Sequence, residues 1–185
     1  MNIIKTDIPG LFVIEPKVFE DDRGYFFESY HEEKLSQHGI KTKFVQDNQS
    51  KSLFGVIRGL HFQAEPHAQT KLIRVLEGKI YDVAVDIRKK SPTFGKWFGI
   101  ELSGENKKQL YVPKGFAHGF SVMSETAVIL YKCDNLYNPA SEGGILYNDS
   151  DLGIDWKVDP AKAILSDKDK VLPLLKNANL TFSFT

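Results

Sequence analysis

Short runs rich in Val, Ile, Phe and Tyr recur along this chain, each closed by residues that turn the backbone. They are Leu11 to Ile14, Gly24 to Tyr30, Val56 to Phe62, Lys71 to Leu76, Lys79 to Ile87, Trp97 to Leu102 and Ala127 to Tyr131. β-Branched and aromatic side chains fit a pleated surface, so runs of this length bounded by turn residues read as strands. The separators Glu77-Gly78, Ser103-Gly104-Glu105-Asn106 and Pro113-Lys114-Gly115 stand at hairpin-like distances. Helical periodicity is brief, confined to Glu32 to His38 and a segment beginning near Ser166. The expected fold is all-β: a double-sheet jelly roll or small barrel with a few short peripheral helices. A chain of 185 residues can bury one sizeable core, and a single domain over residues 1–185 is expected.

Charge and cysteine content narrow the function classes. Twenty-four Lys and Arg balance 24 Asp and Glu, so no global field draws a polyanion, which argues against a general nucleic-acid or membrane-surface binder. The single cysteine, Cys133, excludes an intramolecular disulfide framework and any multi-cysteine metal site. No stretch approaches the roughly 18 apolar residues of a membrane span, and the opening residues lack a secretion-signal pattern. A cytoplasmic protein is expected. Between Asn135 and Trp156 the composition shifts to Asn, Gly, Ser, Asp and Pro interleaved with Tyr137, Tyr147 and Trp156. Loops above about 12 to 15 residues are usually functional or disordered, and the embedded aromatics favour a packed binding loop.

Several residues could carry chemistry. In Arg58-Gly59-Leu60-His61-Phe62-Gln63, strand alternation puts His61 and Gln63 on one face and Leu60 and Phe62 on the other. That polar face meets either solvent or a barrel mouth. Simple alternation turns Arg58 away from His61, unless a bulge at Gly59 re-aims it. Lys71 shares a face with Ile73 and Val75, as either a strand-edge charge or an ammonium held beside His61. Tyr131 shares its face with Ala127, Ile129 and Cys133, which fits a core tyrosine with its hydroxyl at the rim. Ser166-Asp167-Lys168-Asp169 reads locally as a helix start, with Ser166 as N-cap and Asp169 as the capping-box acid. His118, beside the Pro113-Lys114-Gly115 turn, makes a second histidine. A metal centre of cupin type needs a His-x-His pair with further ligands, and His61-Phe62-Gln63 lacks it, so no metal is expected. His31, His38 and His67 sit in polar surroundings and read as surface residues.

Taken in order, Asp22-Arg23-Gly24, Phe44-Val45-Gln46-Asp47-Asn48, Arg58 to Gln63, Asp82 to Arg88, Ser91-Pro92-Thr93-Phe94-Gly95 and Pro113 to Phe120 resemble the dTDP-4-dehydrorhamnose 3,5-epimerase family over nearly the whole chain. The resemblance implies a cupin-like jelly roll, and a substrate, dTDP-4-keto-6-deoxy-glucose, whose C3 and C5 both flank the C4 ketone. Removing a proton there leaves an enolate on the carbonyl oxygen, so no cofactor is required. What remains to be supplied is a base, an oxyanion stabiliser and an acid on the opposite face.

By the same resemblance His61 matches the general base and Asp169 the carboxylate that orients it, while Asp167 is the weaker candidate for that role. Lys71 matches the cation facing the enolate and Tyr131 the proton donor; an ordinary phenol, with a pKa near about 10, stays protonated at neutral pH. Arg23, Glu28, Gln46, Asp47, Asn48, Arg58, Lys71, His118, Glu142 and Lys168 match substrate-binding positions, and Tyr137 the aromatic that stacks on thymine. The family's homodimers share their sites through N-terminal strands, which makes the segment from Gly24 to Tyr30 an expected interface. Three rivals remain: an epimerase of one carbon only, a catalytically silent sugar-nucleotide-binding jelly roll and a metal-dependent cupin oxygenase.

Overall fold

The computed structural model describes residues 1–184. Thirteen strands follow one another with little helix between them. They are β1 (Asn2–Lys5), β2 (Phe12–Glu15), β3 (Phe19–Asp21), β4 (Gly24–Phe26), β5 (Gln46–Leu53), β6 (Ile57–Gln63), β7 (Lys71–Glu77), β8 (Lys79–Asp86), β9 (Trp97–Ser103), β10 (Gln109–Val112), β11 (Phe116–Val122), β12 (Thr126–Cys133) and β13 (Glu142–Gly144). Two short α-helices join them, α1 (Glu32–Ser36) and α2 (Asp167–Lys170). A six-stranded sheet runs β1-β2-β10-β7-β12-β5, a five-stranded sheet β13-β6-β11-β8-β9, and β3 with β4 makes a separate hairpin. The pairings within these sheets are antiparallel. The expected double-sheet jelly roll is the fold.

Alternation along each strand divides the apolar side chains into three layers. Ile73 and Val75 of β7, Ala127 and Ile129 of β12, Ile80 and Ala84 of β8, and Phe116, Phe120 and Val122 of β11 fill the space between the sheets. The opposite face of the five-stranded sheet carries Leu60, Phe62, Val83 and Val85, covered by Ile145, Leu152, Trp156, Leu180 and Phe182. The segment 135–156 therefore packs as expected, and it also contributes β13 to the sheet edge. On the outer face of the six-stranded sheet, Ile14, Leu72 and Tyr111 meet Leu35 and Ile40 at and just beyond α1.

Some local readings shift. Strand β5, with the sequence QDNQSKSL, lacks the apolar run that marks a strand, yet it pairs with β12 along its full length. Its neighbour holds it, which is tertiary context overriding propensity. The aromatic run from Gly24 forms a strand only to Phe26. His31, read as a surface residue, caps α1: its Nδ1 accepts from Lys34 N at 3.4 Å. The motifs Asp82 to Arg88 and Ser91 to Gly95 meet at fully buried Asp86, whose Oδ2 accepts from Arg88 Nη2 at 2.8 Å, Ser91 Oγ at 2.6 Å and Thr93 Oγ1 at 2.7 Å. Burial pushes this carboxyl up, but the donated hydrogen bonds prevail and hold it below the usual range.

Candidate active site

The two sheets part at one end of the sandwich. A cavity of about 450 Å³ opens there, lined by Arg58, His61 and His118 of the five-stranded sheet and by Ser50, Lys71 and Tyr131 of the six-stranded sheet. An adjoining lobe of about 280 Å³ shares His61, Lys71 and Tyr131 and reaches Gln46, Asn48, Gln69, Tyr137 and Glu142. The shared residues mark the junction of a more apolar lobe and a more polar one.

Arg58 and His61 reach the same cavity because β6 carries an extra residue. His61 pairs with His118 and Arg58 with Phe120, so three steps on β6 match two on β11. Gly59 permits it. Its φ is +131°, and a Cβ there would lie 2.6 Å from Gly119 Cα and 2.9 Å from His118 O. Leu60 and Phe62 turn to the outer core while Arg58 and His61 face inward, which settles the parity of Arg58 within one chain.

His61 Nε2 lies 2.7 Å from Asp169 Oδ1, and Gly59 N–H donates to Asp169 Oδ2 at 3.5 Å. Asp169 comes from α2, where Ser166 is indeed the N-cap: its hydroxyl accepts from Asp169 N at 3.1 Å. The carboxylate of the expected capping box goes instead to His61, since the turn of α2 aims it inward and leaves it only 3% exposed. Burial pushes the Asp169 carboxyl up, yet the His61 hydrogen bond and charge, with help from Gly59 and Ser166, hold it below its ordinary value. Asp167 points to Lys170 at 2.9 Å with its side chain fully exposed.

Across the cavity, β12 and β7 place Tyr131 opposite Ile73 and Cys133 opposite Lys71, so Tyr131 and Lys71 share the inward face. The Lys71 ammonium lies 5.8 Å from the Tyr131 ring centroid. Burial lowers Lys71, while Cys133, Asp82 and Glu142 act in the raising direction. Tyr131 is raised by burial first and then by Cys133, so its phenol keeps its proton at neutral pH. His118 Nε2 lies 2.8 Å from Asp82 Oδ1.

The polar lobe is tied together by side chains. Gln46 Oε1 accepts from Tyr137 N at 3.0 Å, and its Nε2 donates to Asn48 Oδ1 at 3.1 Å. Glu142 Oε2 accepts from Tyr137 Oη at 3.2 Å and pairs with Lys168 Nζ at 2.5 Å. Gln63 is 5% exposed and serves the loop, donating to His67 O at 2.6 Å and accepting from Asn138 N at 2.7 Å.

Three of the sequence-derived positions lie apart. Alternation on β5 sends Gln46 and Asn48 inward and Asp47 outward, where it pairs with Lys132 at 3.0 Å. Arg23 sits on the β3–β4 hairpin, 90% exposed and paired with Asp21 at 2.5 Å. Glu28 pairs with Lys34 on the surface. Residue-by-residue reading gave no role to Asp82, Ser50 or Gln69, although a lone acid inside the apolar run Ile80 to Val85 was a usable signal for Asp82. Among the described residues no group of three or more His, Cys, Asp or Glu side chains is arranged to hold a metal ion.

The architecture and sequence have close counterparts. The family model for dTDP-4-dehydrorhamnose 3,5-epimerase matches residues 5–177. The dTDP-4-dehydrorhamnose 3,5-epimerase of Salmonella typhimurium is 55% identical over 182 residues, covering 98% of this chain and 99% of the relative. The crystal structure of the Elizabethkingia anophelis enzyme of the same name superposes with a TM-score of 0.92 at 58% identity, covering 96% of this chain and 97% of that one. A Legionella pneumophila dTDP-6-deoxy-D-glucose-3,5-epimerase in complex with dTDP-4-keto-L-rhamnose gives a TM-score of 0.91 at 51% identity, covering 95% and 93%. With a matching family model over most of its length and relatives above half identity end to end, the chain belongs to the dTDP-4-dehydrorhamnose 3,5-epimerase family.

Proposed function

We infer that this protein is an isomerase that converts dTDP-4-keto-6-deoxy-D-glucose to dTDP-4-keto-L-rhamnose by inverting C3 and C5, in dTDP-L-rhamnose biosynthesis. The observation that carries this reading is the opposition, across one cavity, of the Asp169-bound His61 on one sheet and Lys71 with Tyr131 on the other. Each carbon to be inverted is adjacent to a ketone. His61 takes the proton on the ring nitrogen that Asp169 leaves free, and the electron pair moves onto the C4 oxygen as an enolate. Asp169 fixes the imidazole orientation and favours the imidazolium that results. Lys71 faces the developing oxyanion, where a fixed cation stabilises the transition state more than the ground state. Tyr131 returns a proton to the same carbon from the opposite face, and solvent exchange restores both groups for the second carbon. No cofactor enters this sequence.

Gln46, Asn48, Tyr137 and Glu142 offer amide, aromatic and carboxylate groups for a thymine nucleoside, and Arg58, His118 and Lys168 offer donors for a pyrophosphate. A local cluster of this kind reconciles an anionic substrate with a net charge of zero. Arg23, Glu28 and Asp47 complete the set in a homodimer with shared sites, each hairpin reaching the partner's cavity. Support for this comes from the hairpin itself, which presents Phe19, Tyr25 and Phe26 on the surface. The chain acts as one domain, supported by the packing of Leu180 and Phe182 in the same layer as Phe62. A cytoplasmic setting is supported by the buried free thiol of Cys133; among the described residues, no helix is long and apolar enough to cross a membrane.

Incubation with dTDP-4-keto-6-deoxy-glucose in heavy water, with deuterium counted at each carbon by NMR, tests the reading. Enzyme-dependent label at both C3 and C5 is expected. Label at one carbon makes the protein a single-carbon epimerase, and no label with dTDP still bound makes it a binding protein.

A further inference from the structure

Between the end of β12 at Cys133 and a short 3-10 turn at Pro139–Ser141, the chain follows no regular element. Side-chain amides serve its backbone instead. Gln69 Nε2 donates to Asn135 O at 2.8 Å and Gln63 Nε2 to Leu136 O at 3.3 Å. Tyr137 N–H donates to Gln46 Oε1 at 3.0 Å, and Asn138 N–H to Gln63 Oε1 at 2.7 Å. Glutamines from β5, from β6 and from the loop before β7 thus hold consecutive residues of one segment.

Gln63 is the one that grips both sides of Tyr137. It ends β6, is 5% exposed and lines the polar lobe with His61 two residues before it. Its third bond runs from Nε2 to His67 O at 2.6 Å, in the loop that follows β6. A primary amide offers two N–H groups and one carbonyl, and here each is matched by a backbone group of the opposite kind. Directly across from Gln63 on β13 stands Glu142, whose Oε2 accepts from Tyr137 Oη at 3.2 Å. This cross-strand pair therefore fixes Tyr137 at both ends, its flanking backbone through Gln63 and its hydroxyl through Glu142. The ring itself is 54% exposed. A flat ring held in place before its ligand arrives loses little freedom when another ring stacks on it.

We propose that Gln63 is a positioning residue for base recognition: it presets Tyr137 as a stacking platform, so that affinity for the nucleobase depends on it and affinity for the phosphates does not. The identity of the base rests on the function proposed above, whereas the clamp on the loop does not.

Exchange of the Asn138 amide with solvent, followed by NMR in the unaltered protein without ligand, reads the clamp and requires no variant. It should run at least about a hundredfold slower than in an unfolded peptide; a faster rate would overturn the proposal. Gln63→Met keeps the side-chain length and removes all three bonds. Titrated with thymidine, dTDP and inorganic pyrophosphate, this variant should bind thymidine and dTDP about tenfold more weakly and pyrophosphate less than about twofold more weakly. In a Tyr137→Ala background, Gln63→Met should cost dTDP no further affinity. Equal losses for thymidine and pyrophosphate would make Gln63 a support of the whole cavity, and a full effect in the absence of the Tyr137 ring would give it another target; either result overturns the proposal. An unaltered protein with a slow Asn138 amide but no affinity for dTDP would instead overturn the nucleotide reading, reducing the clamp to a support of its loop.

Discussion

Asp169 serves two neighbours at once, His61 with one oxygen and Gly59 N–H with the other, and both stabilise its charged form. Its folded-state pKa lies below the ordinary 3.8, so the ionised group stabilises the fold above that value, and the contribution is lost as pH falls from 3.8 through the lower folded value. Asp169→Asn lacks this increment. Its melting temperature should therefore fall less steeply than that of the unaltered protein below about pH 4, as measured by calorimetry in a pH series; parallel curves would contradict the assignment. In catalysis the same variant should lose about 10²- to 10⁴-fold in kcat, the range of a disabled acid–base group. Deuterium exchange should vanish at both carbons in His61→Ala while dTDP binding, read by calorimetry, stays within a few fold. Tyr131→Phe separates the two halves of the reaction, because abstraction by His61 does not need the phenol. Wash-out of label into solvent should persist in that variant while inverted product falls at least tenfold, and normal inversion would remove Tyr131 from the mechanism.

Element by element, most of the strands with apolar runs were legible in the sequence, whereas the short β1, β3, β10 and β13 and the polar β5 were not. Strands β6 to β9 and β12 announce themselves through their runs of Val, Ile, Leu and aromatic residues, whereas β5 exposes half of its residues and is fixed by its pairing with β12. The same limit applied to single sites. Alternation put Tyr131 on a core face and left His61 and Lys71 open between solvent and a barrel mouth, while α2 offered Asp169 a satisfactory local role as a cap, and only the meeting of α2 with β6 reveals its actual partner. The bulge on β6 was foreseeable from Gly59, and its partner Gly119 was not, since their contact exists only across strands. A Cβ at Gly119 would meet Arg58 O at 2.7 Å. Gly119→Ala should consequently part β6 from β11, lowering stability by about 1 to 3 kcal/mol and moving Arg58 and His61 together. Loss of activity beyond the loss of folded protein, measured at a temperature where both variants are folded, would mark the bulge as a device of the site; a stable, fully active Gly119→Ala would refute it.

For the whole molecule, the geometry of one chain leaves a discrepancy that a second chain would resolve. Gln46, Asn48, Tyr137 and Glu142 surround the polar lobe, yet Arg23 and Glu28 remain on the outside of their own subunit, held by Asp21 and Lys34. A two-stranded hairpin is marginal by itself in water. This one nevertheless exposes Phe19, Tyr25 and Phe26, the last at 68%. Apolar surface carried on so slight an element argues for a covering partner, and a partner that brings Arg23 into the facing cavity would supply the cation that a nucleotide requires there. Sedimentation equilibrium should give a dimer for the unaltered protein, and Phe26→Asp should shift it to monomer at micromolar concentration. Because His61, Asp169, Lys71 and Tyr131 all come from one chain, the monomeric variant should retain slow deuterium exchange while KM for the dTDP-sugar rises at least tenfold. Arg23→Ala should raise KM similarly in a protein that stays dimeric, which separates loss of the arm's contact from loss of assembly. A monomeric unaltered protein with full activity would show that each cavity works alone and that the hairpin serves another purpose.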